Sequence, residues 1–321
     1  MPRRCRCGRR RRDNATSVSR GLLLFLSRRL LSALLFVIVV AASTFVLARL
    51  VPGDPTSELA MAGADASVIA AERTRLGLDR SLPAHLGAWA AAAARFDLGM
   101  SSRFGRPVRG LVLESAGNTA VLAAVALTLA TIVGLPLGLL TGARPSGWLA
   151  RLVTPLSIAL VSCPPIVAAL ALLLLAASKG WLSASPGSLA LPALALALPL
   201  AATIERLQSQ ATTDTMGSLD LVAAAARGVP PSRLVWIHAG RQSLRPVLGI
   251  YGLLIGGLFS GSLAVEWVTS WPGLGRLTYD ALVHRDLFLV SGCALAGAVL
   301  IAIGNVAADV IRAAADPRVR A

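Results

Sequence analysis

Lysine is nearly absent from this sequence: of 31 basic residues only Lys179 is not arginine. Carboxylates are also few, 16 against those 31, for a net charge of +15 over 321 residues. Aromatics make up 5%, and there are four cysteines. These shortages exclude several chemistries. There is no Gly-x-x-x-x-Gly-Lys-Ser/Thr, so the chain carries no P-loop for nucleotide phosphates. Neither Gly-x-Ser-x-Gly nor His-Glu-x-x-His occurs, which removes the serine-hydrolase elbow and the zincin helix. Cys5 and Cys7 lack the second ligand pair of a zinc site, and Cys163 and Cys293 stand alone in apolar stretches. With so few aromatics there is little material for a base-stacking platform, so the basic excess does not read as nucleic-acid binding.

What is abundant is apolar sequence, at 55%. Soluble domains lie nearer ~45–50% by a similar count. Several runs exceed the ~20 residues that cross a bilayer. The chain reads as an all-α, polytopic membrane protein with six spans, near 30–50, 119–140, 152–176, 189–204, 247–265 and 288–310. The fourth carries Pro192 and Pro199, which a helix bundle tolerates when neighbours re-satisfy the freed carbonyls. The first follows a basic segment, but it is longer than a signal-peptide core and shows no small-x-small cleavage site, so it reads as an uncleaved helix.

Arginines set the orientation. Arg28 and Arg29 precede span one. Arg144 and Arg151 lie between spans two and three, Arg206, Arg227, Arg233, Arg241 and Arg245 between four and five, and Arg312, Arg318 and Arg320 after six. All fall on one side, so both termini are expected in the cytoplasm. The long loop after span one also holds arginines, but long loops escape the charge rule. It contains two short helix candidates, 70–76 ending at Gly77 and 83–96, and reads as a small folded external cap. The expected division is an Arg-rich tail over 1–27, in contact with anionic lipid, then the first span with its external loop over 28–113, the remaining membrane domain over 114–312, and a tail over 313–321. Gly252, Gly256, Gly257 and Gly261 recur in span five at a spacing that allows close helix packing, within the chain or against a second subunit.

The loop between spans four and five has its own order. Residues 223–227, with Ala223 and Ala224, favour a helix. Gly228 suits the left-handed position that ends it. Pro230 and Pro231 cannot continue that helix but suit the first turn of the next. A short helix over 232–238 should follow, lying along the membrane surface. Its apolar residues can dock a partner or rest on lipid.

In order along nearly the whole chain, several motifs then resemble one family. Leu50-Val-Pro52-Gly53-Asp54-Pro55 follows span one, and Leu-Gly-Leu-Asp79-Arg-Ser81-Leu-Pro83 comes next. Asp97-Leu-Gly99, Gly105-Arg-Pro-Val108 and Gly134-Leu-Pro-Leu-Gly138 follow. Trp271-Pro272-Gly273-Leu-Gly275 lies after span five and Asp316-Pro-Arg318 near the end. The chain resembles the permease subunits of dipeptide, oligopeptide and nickel ABC importers. That resemblance implies a type I importer fold in a bacterial inner membrane, pairing with a second permease, two ATPase subunits and an external solute-binding protein. It implies a peptide solute, with nickel, glutathione or another small solute as alternatives. It also implies that this chain binds no cofactor, ATP and Mg being used by the partner subunits. Val222-Ala-Ala stands where importers usually carry Glu-Ala-Ala, and Gln242 and Ser81 replace a common Asn and Pro.

By the same resemblance the loop is the ATPase-coupling segment, carried by Ala223, Ala224, Gly228, Ser232, Arg233, Trp236, His238, Arg241 and Pro246. Arg233 and Arg241 would pair with acidic groups on the ATPase. In the motif Pro52, Gly53, Asp54 and Pro55, Asp54 would cap the outer end of span one rather than bind the solute. Pro272, Gly273 and Gly275 would shape a tight re-entry turn, with Trp271 as an interface anchor. Glu266, at the outer end of span five, is a candidate for the solute path or for a loop cap. Two rival classes remain: an intramembrane enzyme using carboxylates such as Glu205, Asp214 or Asp309, and a motor-independent transporter. Neither paired mid-membrane carboxylates nor inverted repeats are evident for them.

Overall fold

The computed structural model describes residues 7–50, 56, 63–179 and 187–315, with side chains over 27–50, 56, 63–178 and 187–312. Pro52, Gly53, Asp54 and Pro55 lie outside the described residues, as do Asp316, Pro317 and Arg318. Among the described residues the elements are helices, with one isolated antiparallel bridge between Met100 and Pro107. In chain order they are α1 (Cys7–Leu50), α2 (Ala66–Arg75), α3 (Leu82–Ala93), α4 (Val108–Ala143), α5 (Trp148–Val161), α6 (Pro165–Lys179) and α7 (Ala190–Met216). Then come α8 (Leu219–Ala226), α9 (Pro231–Arg233), a π turn (Leu234–Ala239), α10 (Gly240–Leu248), α11 (Tyr251–Val268), α12 (Leu274–Val283) and α13 (Leu287–Ala315).

Five stretches are long and apolar enough to cross a bilayer: Ser27–Leu50, Val108–Ala143, Ala190–Met216, Tyr251–Val268 and Leu287–Arg312. A sixth crossing exists only if α5 and α6 count as one broken span, since they meet at 109°. The single helix expected over 152–176 is therefore two. The cause is Pro164-Pro165: proline lacks the N–H that the next helical turn needs and disfavours helix in the residue before it. The carbonyl of Pro164 instead starts α6, accepting from Val167 N at 2.9 Å.

Other boundaries also differ from expectation. Helix α4 starts at Val108 rather than near 119, because its first turns bury Val108, Leu111 and Val112 against α12 and α13. Helix α7 runs past 204 to Met216, its polar end held by side-chain contacts described below. The fifth span begins at Tyr251, since Gly249 and Ile250 separate it from α10.

The pairing of α4 with α7 is the most extensive among the described residues, and small residues make it so. A Cβ at Gly134, Gly138 or Gly142 would stand 2.7, 2.5 or 2.3 Å from the carbonyl oxygens of Ala201, Glu205 and Ser209. Helices in lipid gain by such close approach, where van der Waals contact replaces a hydrophobic drive. The span-five glycines behave differently: a Cβ at Gly256 or Gly257 would meet nothing within 4 Å, whereas one at Gly261 would stand 3.2 Å from Pro165.

Helix α1 lies along α13. The segment over 63–107 is folded onto both. Phe45 of α1 meets His85 of α3 edge to face (5.0 Å) and lies tilted against Trp89 (5.2 Å), and His85 meets Phe288 of α13 edge to face at 6.0 Å. Asp286 caps α13 through Leu289 N (3.1 Å) and, with its other oxygen, accepts from Ser101 Oγ (2.6 Å) and Arg103 N (3.2 Å). One buried carboxylate thus ties the loop before α4 to the start of the last span.

Candidate functional site

The loop between the fourth and fifth spans folds into one unit at an end of the bundle. Ser218 is extended ahead of α8, with Asp220 in its first turn. The helix stops at Gly228 (φ 80), whose N–H reaches the Ala225 carbonyl at 2.9 Å while Val229 N reaches that of Ala224 at 3.3 Å. A side chain there would have to adopt the left-handed region, which glycine enters freely. Pro231 then opens α9.

The short helix expected over 232–238 is longer. It begins at Pro231, passes through the π turn and continues as α10 to Leu248. Burial explains the π turn. Leu234, Ala239, Ser243 and Val247 are the buried residues of this stretch, spaced by five, four and four. A purely α-helical turn would rotate Ala239 away from Leu234; the extra residue of the π turn keeps both on the buried face. Leu234 and Ala239 close a small core with Leu221 and Ala224 of α8.

The opposite side is apolar and open. Leu219 is 86% exposed, Val222 55%, Trp236 51% and Ile237 53%. Ala223, Gly228, Ser232, Arg233, His238, Arg241 and Pro246 are exposed, while Ala224 is buried. Beside this surface a cavity of about 390 Å³ lies between Arg144, Gly147 and Trp148 of the α4–α5 turn and Pro231, Val235 and Trp236.

The unit is tied to the membrane helices by polar contacts that sequence reasoning missed. Gln208 Nε2 on α7 donates to Ser243 Oγ on α10 at 2.7 Å and to Thr212 Oγ1 at 3.1 Å. One turn away, Thr141 Oγ1 of α4 donates to Glu205 Oε1 at 2.6 Å. All five side chains are buried. The spacing of Glu205, Gln208 and Thr212 on one face of α7 is the signal that could have found them. The carboxylates weighed for enzyme chemistry are not gathered into one group: Glu205 bonds Thr141, Asp214 is exposed, and Asp309 pairs with Arg29 and Arg312.

A second constellation surrounds Glu266 at the other end of α11. Its carboxylate accepts from Thr119 Oγ1 of α4 (2.8 Å), Gly275 N (2.7 Å) and Arg276 N (3.4 Å). Thr119 Oγ1 in turn accepts from Leu274 N at 2.7 Å. The first N–H groups of α12, which have no partner within their helix, thus find acceptors. Asn118 Nδ2 donates to the Pro272 carbonyl at 2.8 Å, and Trp271 N to that of Glu266 at 2.9 Å. Trp271 is buried in the main core rather than at a surface. The glycines fit because there is no room for more: a Cβ at Gly273 would stand 2.3 Å from Glu266 Oε2, and one at Gly275 2.5 Å from Leu263 Cα. Trp271, Pro272, Gly273 and Gly275 therefore form a turn closed over Glu266, whose side chain is fully enclosed.

The described residues thus form a bundle of apolar helices with a break in the third expected span and an exposed helix–glycine–proline unit between the fourth and fifth. Comparison with known proteins supplies the assignment. Residues 134–321 match the family model for binding-protein-dependent transport system inner membrane components, and residues 22–116 match the model for the N-terminal part of such components. A protein of Brucella abortus (strain 2308), provisionally named a peptide transport system permease, is 32% identical over 306 residues, covering 91% of this chain and 98% of its own. The glutathione transport system permease protein GsiC of Escherichia coli O6:H1 is 30% identical over 304 residues, covering 93% and 99%. Among solved structures, the inward-facing MetNI methionine ABC transporter matches with TM-score 0.57 at 20% identity, over 64% of this chain and 96% of that one. The chain belongs to the family of binding-protein-dependent transport system inner membrane components; it is an ABC importer permease with the type I fold.

Proposed function

We propose that this chain is one transmembrane subunit of an ATP-driven importer of small peptides, working with a second permease, two ATPase subunits and an external binding protein. It sits in a bacterial inner membrane with both termini in the cytoplasm, the side that the arginine distribution favours. The observation that carries the coupling role is the exposed apolar face of Leu219, Val222, Trp236 and Ile237 on a unit whose other face is packed. Lipid would accept such a face, but Arg227, Arg233 and Arg241 among it favour a protein cleft with acidic walls. Closure of the ATPases would push on this unit, and the Ser243–Gln208 bond would pass the push to α7. The peptide solute rests on the relatives, among which a glutathione permease keeps that tripeptide as a second reading. The partner's path-lining half and the binding protein would set the choice between them.

The test is co-purification of the tagged chain in mild detergent, expressed with its partner subunits. Wild type should bring down a second permease and ATPase activity. Leu219→Asp with Trp236→Asp, both exposed within the chain, should lose the ATPases and keep the permease. Retention of the ATPases by the variant would sink the coupling surface. Wild type purifying folded and alone would sink the four-subunit reading.

A further inference from the structure

The turn between α4 and α5 stands beside the 219–248 unit, and the two enclose the cavity of about 390 Å³. One wall is the end of α4 with the turn, through Leu140, Arg144 and Trp148. The other is the start of the short helix, through Pro231, Val235 and Trp236. None of these lies in the middle of a crossing: α4 ends at Ala143, α5 begins at Trp148, and Pro231 opens α9. The cavity therefore belongs to the end of the bundle.

Both walls are fixed. Gly147 N donates to the Arg144 carbonyl at 2.9 Å, and a Cβ at Gly147 would stand 3.0 Å from that oxygen. Ala150 of α5 is buried, and α5 packs on α7. Across the cavity Leu234 and Ala239 are held in the small core with α8. The walls approach each other where a Cβ at Gly240 would lie 3.5 Å from Leu139 Cδ2. What remains open carries two indoles, Trp148 at 74% exposure and Trp236 at 51%. An aromatic side chain buries ~150–250 Å² when covered, so this pair is a large apolar area left open on a preformed cavity.

We propose that the cavity is a socket for one apolar side chain, aromatic or long aliphatic, of the ATPase subunit. The inference rests on the coupling reading above and adds to it a second docking element, the α4–α5 turn. Trp236 makes the two continuous: it lines the cavity and belongs to the exposed face with Leu219, Val222 and Ile237. A partner that covers that face passes over the mouth of the cavity, and a void left beneath it would forfeit contacts on one side. Aromatic anchors in such pockets carry much of the energy of an interface. Arg144 is exposed at the rim, so a carboxylate should flank the inserted side chain. A partner seated there would hold α4 directly, besides reaching α7 through Ser243 and Gln208. Trp148 also starts an exposed row with Leu152 and Leu156 on α5, at 64% and 59%, and the rival occupant is interfacial lipid. Lipid gives Trp148 no part in holding the ATPase.

The chain and its partner permease are held in nanodiscs and titrated with the purified ATPase subunits of the same transport system, and the dissociation constant is read by surface plasmon resonance. Trp148→Ala should weaken binding about thirtyfold, the effect of truncating an interface anchor, and Trp148→Phe should restore most of it. Ser232→Trp, which fills the cavity from within, should weaken it about tenfold, the cost of overpacking. Leu219→Asp with Trp236→Asp separates the two readings. If that double variant binds like wild type, the coupling surface itself has failed, and the socket with it. If it loses binding while either Trp148→Ala or Ser232→Trp binds like wild type, the coupling surface stands and the socket is overturned. Where Trp148→Ala does not assemble with the second permease, Ser232→Trp decides, and unchanged or tighter binding in it overturns the proposal.

Discussion

Replacing Glu266 tests whether the turn after α11 is held by its carboxylate. Two strong contacts end on that group, from Thr119 Oγ1 at 2.8 Å and Gly275 N at 2.7 Å, with Arg276 N farther at 3.4 Å. Hydrogen bonds to a charged partner are worth ~1.5–3 kcal/mol each, so Glu266→Ala should destabilise the fold by about 3–6 kcal/mol. Against a total stability of ~5–15 kcal/mol for ordinary domains this is a large share. Glu266→Gln has a milder solution. Its carbonyl can face Gly275 N while its amide donates to Thr119 Oγ1, which still accepts from Leu274 N. That variant should lose only ~1–3 kcal/mol, the difference between charged and neutral bonding plus an imperfect fit. SDS titration in mixed micelles, followed by tryptophan fluorescence, ranks the three proteins. A Glu266→Ala variant within about 1 kcal/mol of wild type would refute the argument, because the converging donors would then be incidental. A Glu266→Gln variant that folds like wild type but fails in solute uptake would return the residue to the translocation path.

Gly142→Val should separate α4 from α7, since its Cβ would start 2.3 Å from the Ser209 carbonyl; overpacking of this kind costs ~1–3 kcal/mol, and a lowered melting midpoint of the detergent-solubilised chain reads it, with Gly256→Ala as a control expected to be silent. His85, buried among Phe45 and Phe288, has its pKa pushed below the usual 6.5 by burial first and then by Arg49 and Arg80. The folded cap therefore prefers neutral imidazole, the unfolded chain binds the extra proton, and the contribution is complete above 6.5 and lost as pH falls below it. Limited proteolysis of the segment over 63–107 should be faster at about pH 5.5 than at about pH 7.5, and His85→Phe should flatten that difference; a pH-independent rate in wild type would contradict the account.

What the sequence made legible is what glycine and proline punctuate. Gly228 with Pro230 and Pro231 announced a helix, a stop and a second helix, and α8 and α9 follow that order. Hydropathy found the spans but not their ends, because an apolar run says nothing about a bend inside it. Pro164 and Pro165 were in plain sight within such a run. The glycine spacing over span five looked the same as that over Gly134, Gly138 and Gly142, yet only the latter meets another backbone at each of its three positions. Periodicity places residues on one face; it does not say which helix lies opposite. The partners of Glu266 were illegible for a related reason, since Thr119 is far from it in sequence and is brought there only by the packing of α4 against α11 and α12.

Helix α4 is the element that joins these features. At one end it is locked to α7 by three glycines and by Thr141–Glu205. At the other, Asn118 and Thr119 hold the turn over Glu266, and Val108 and Val112 pack beneath α13. A displacement of the 219–248 unit would enter α7 through Ser243 and Gln208. Backbone contact as close as that between α7 and α4 cannot absorb it by side-chain rearrangement, because packed interfaces shift between discrete arrangements rather than deform. The displacement would then reach the turn over Glu266 as a movement of α4 itself. Among the described residues the pair α5–α6 is the bent crossing, its halves meeting at a double proline. Widening the glycine seam with Gly142→Val therefore does more than lower stability: it inserts slack between the 219–248 unit and the turn over Glu266, and uptake should fall further than the loss of folded protein explains.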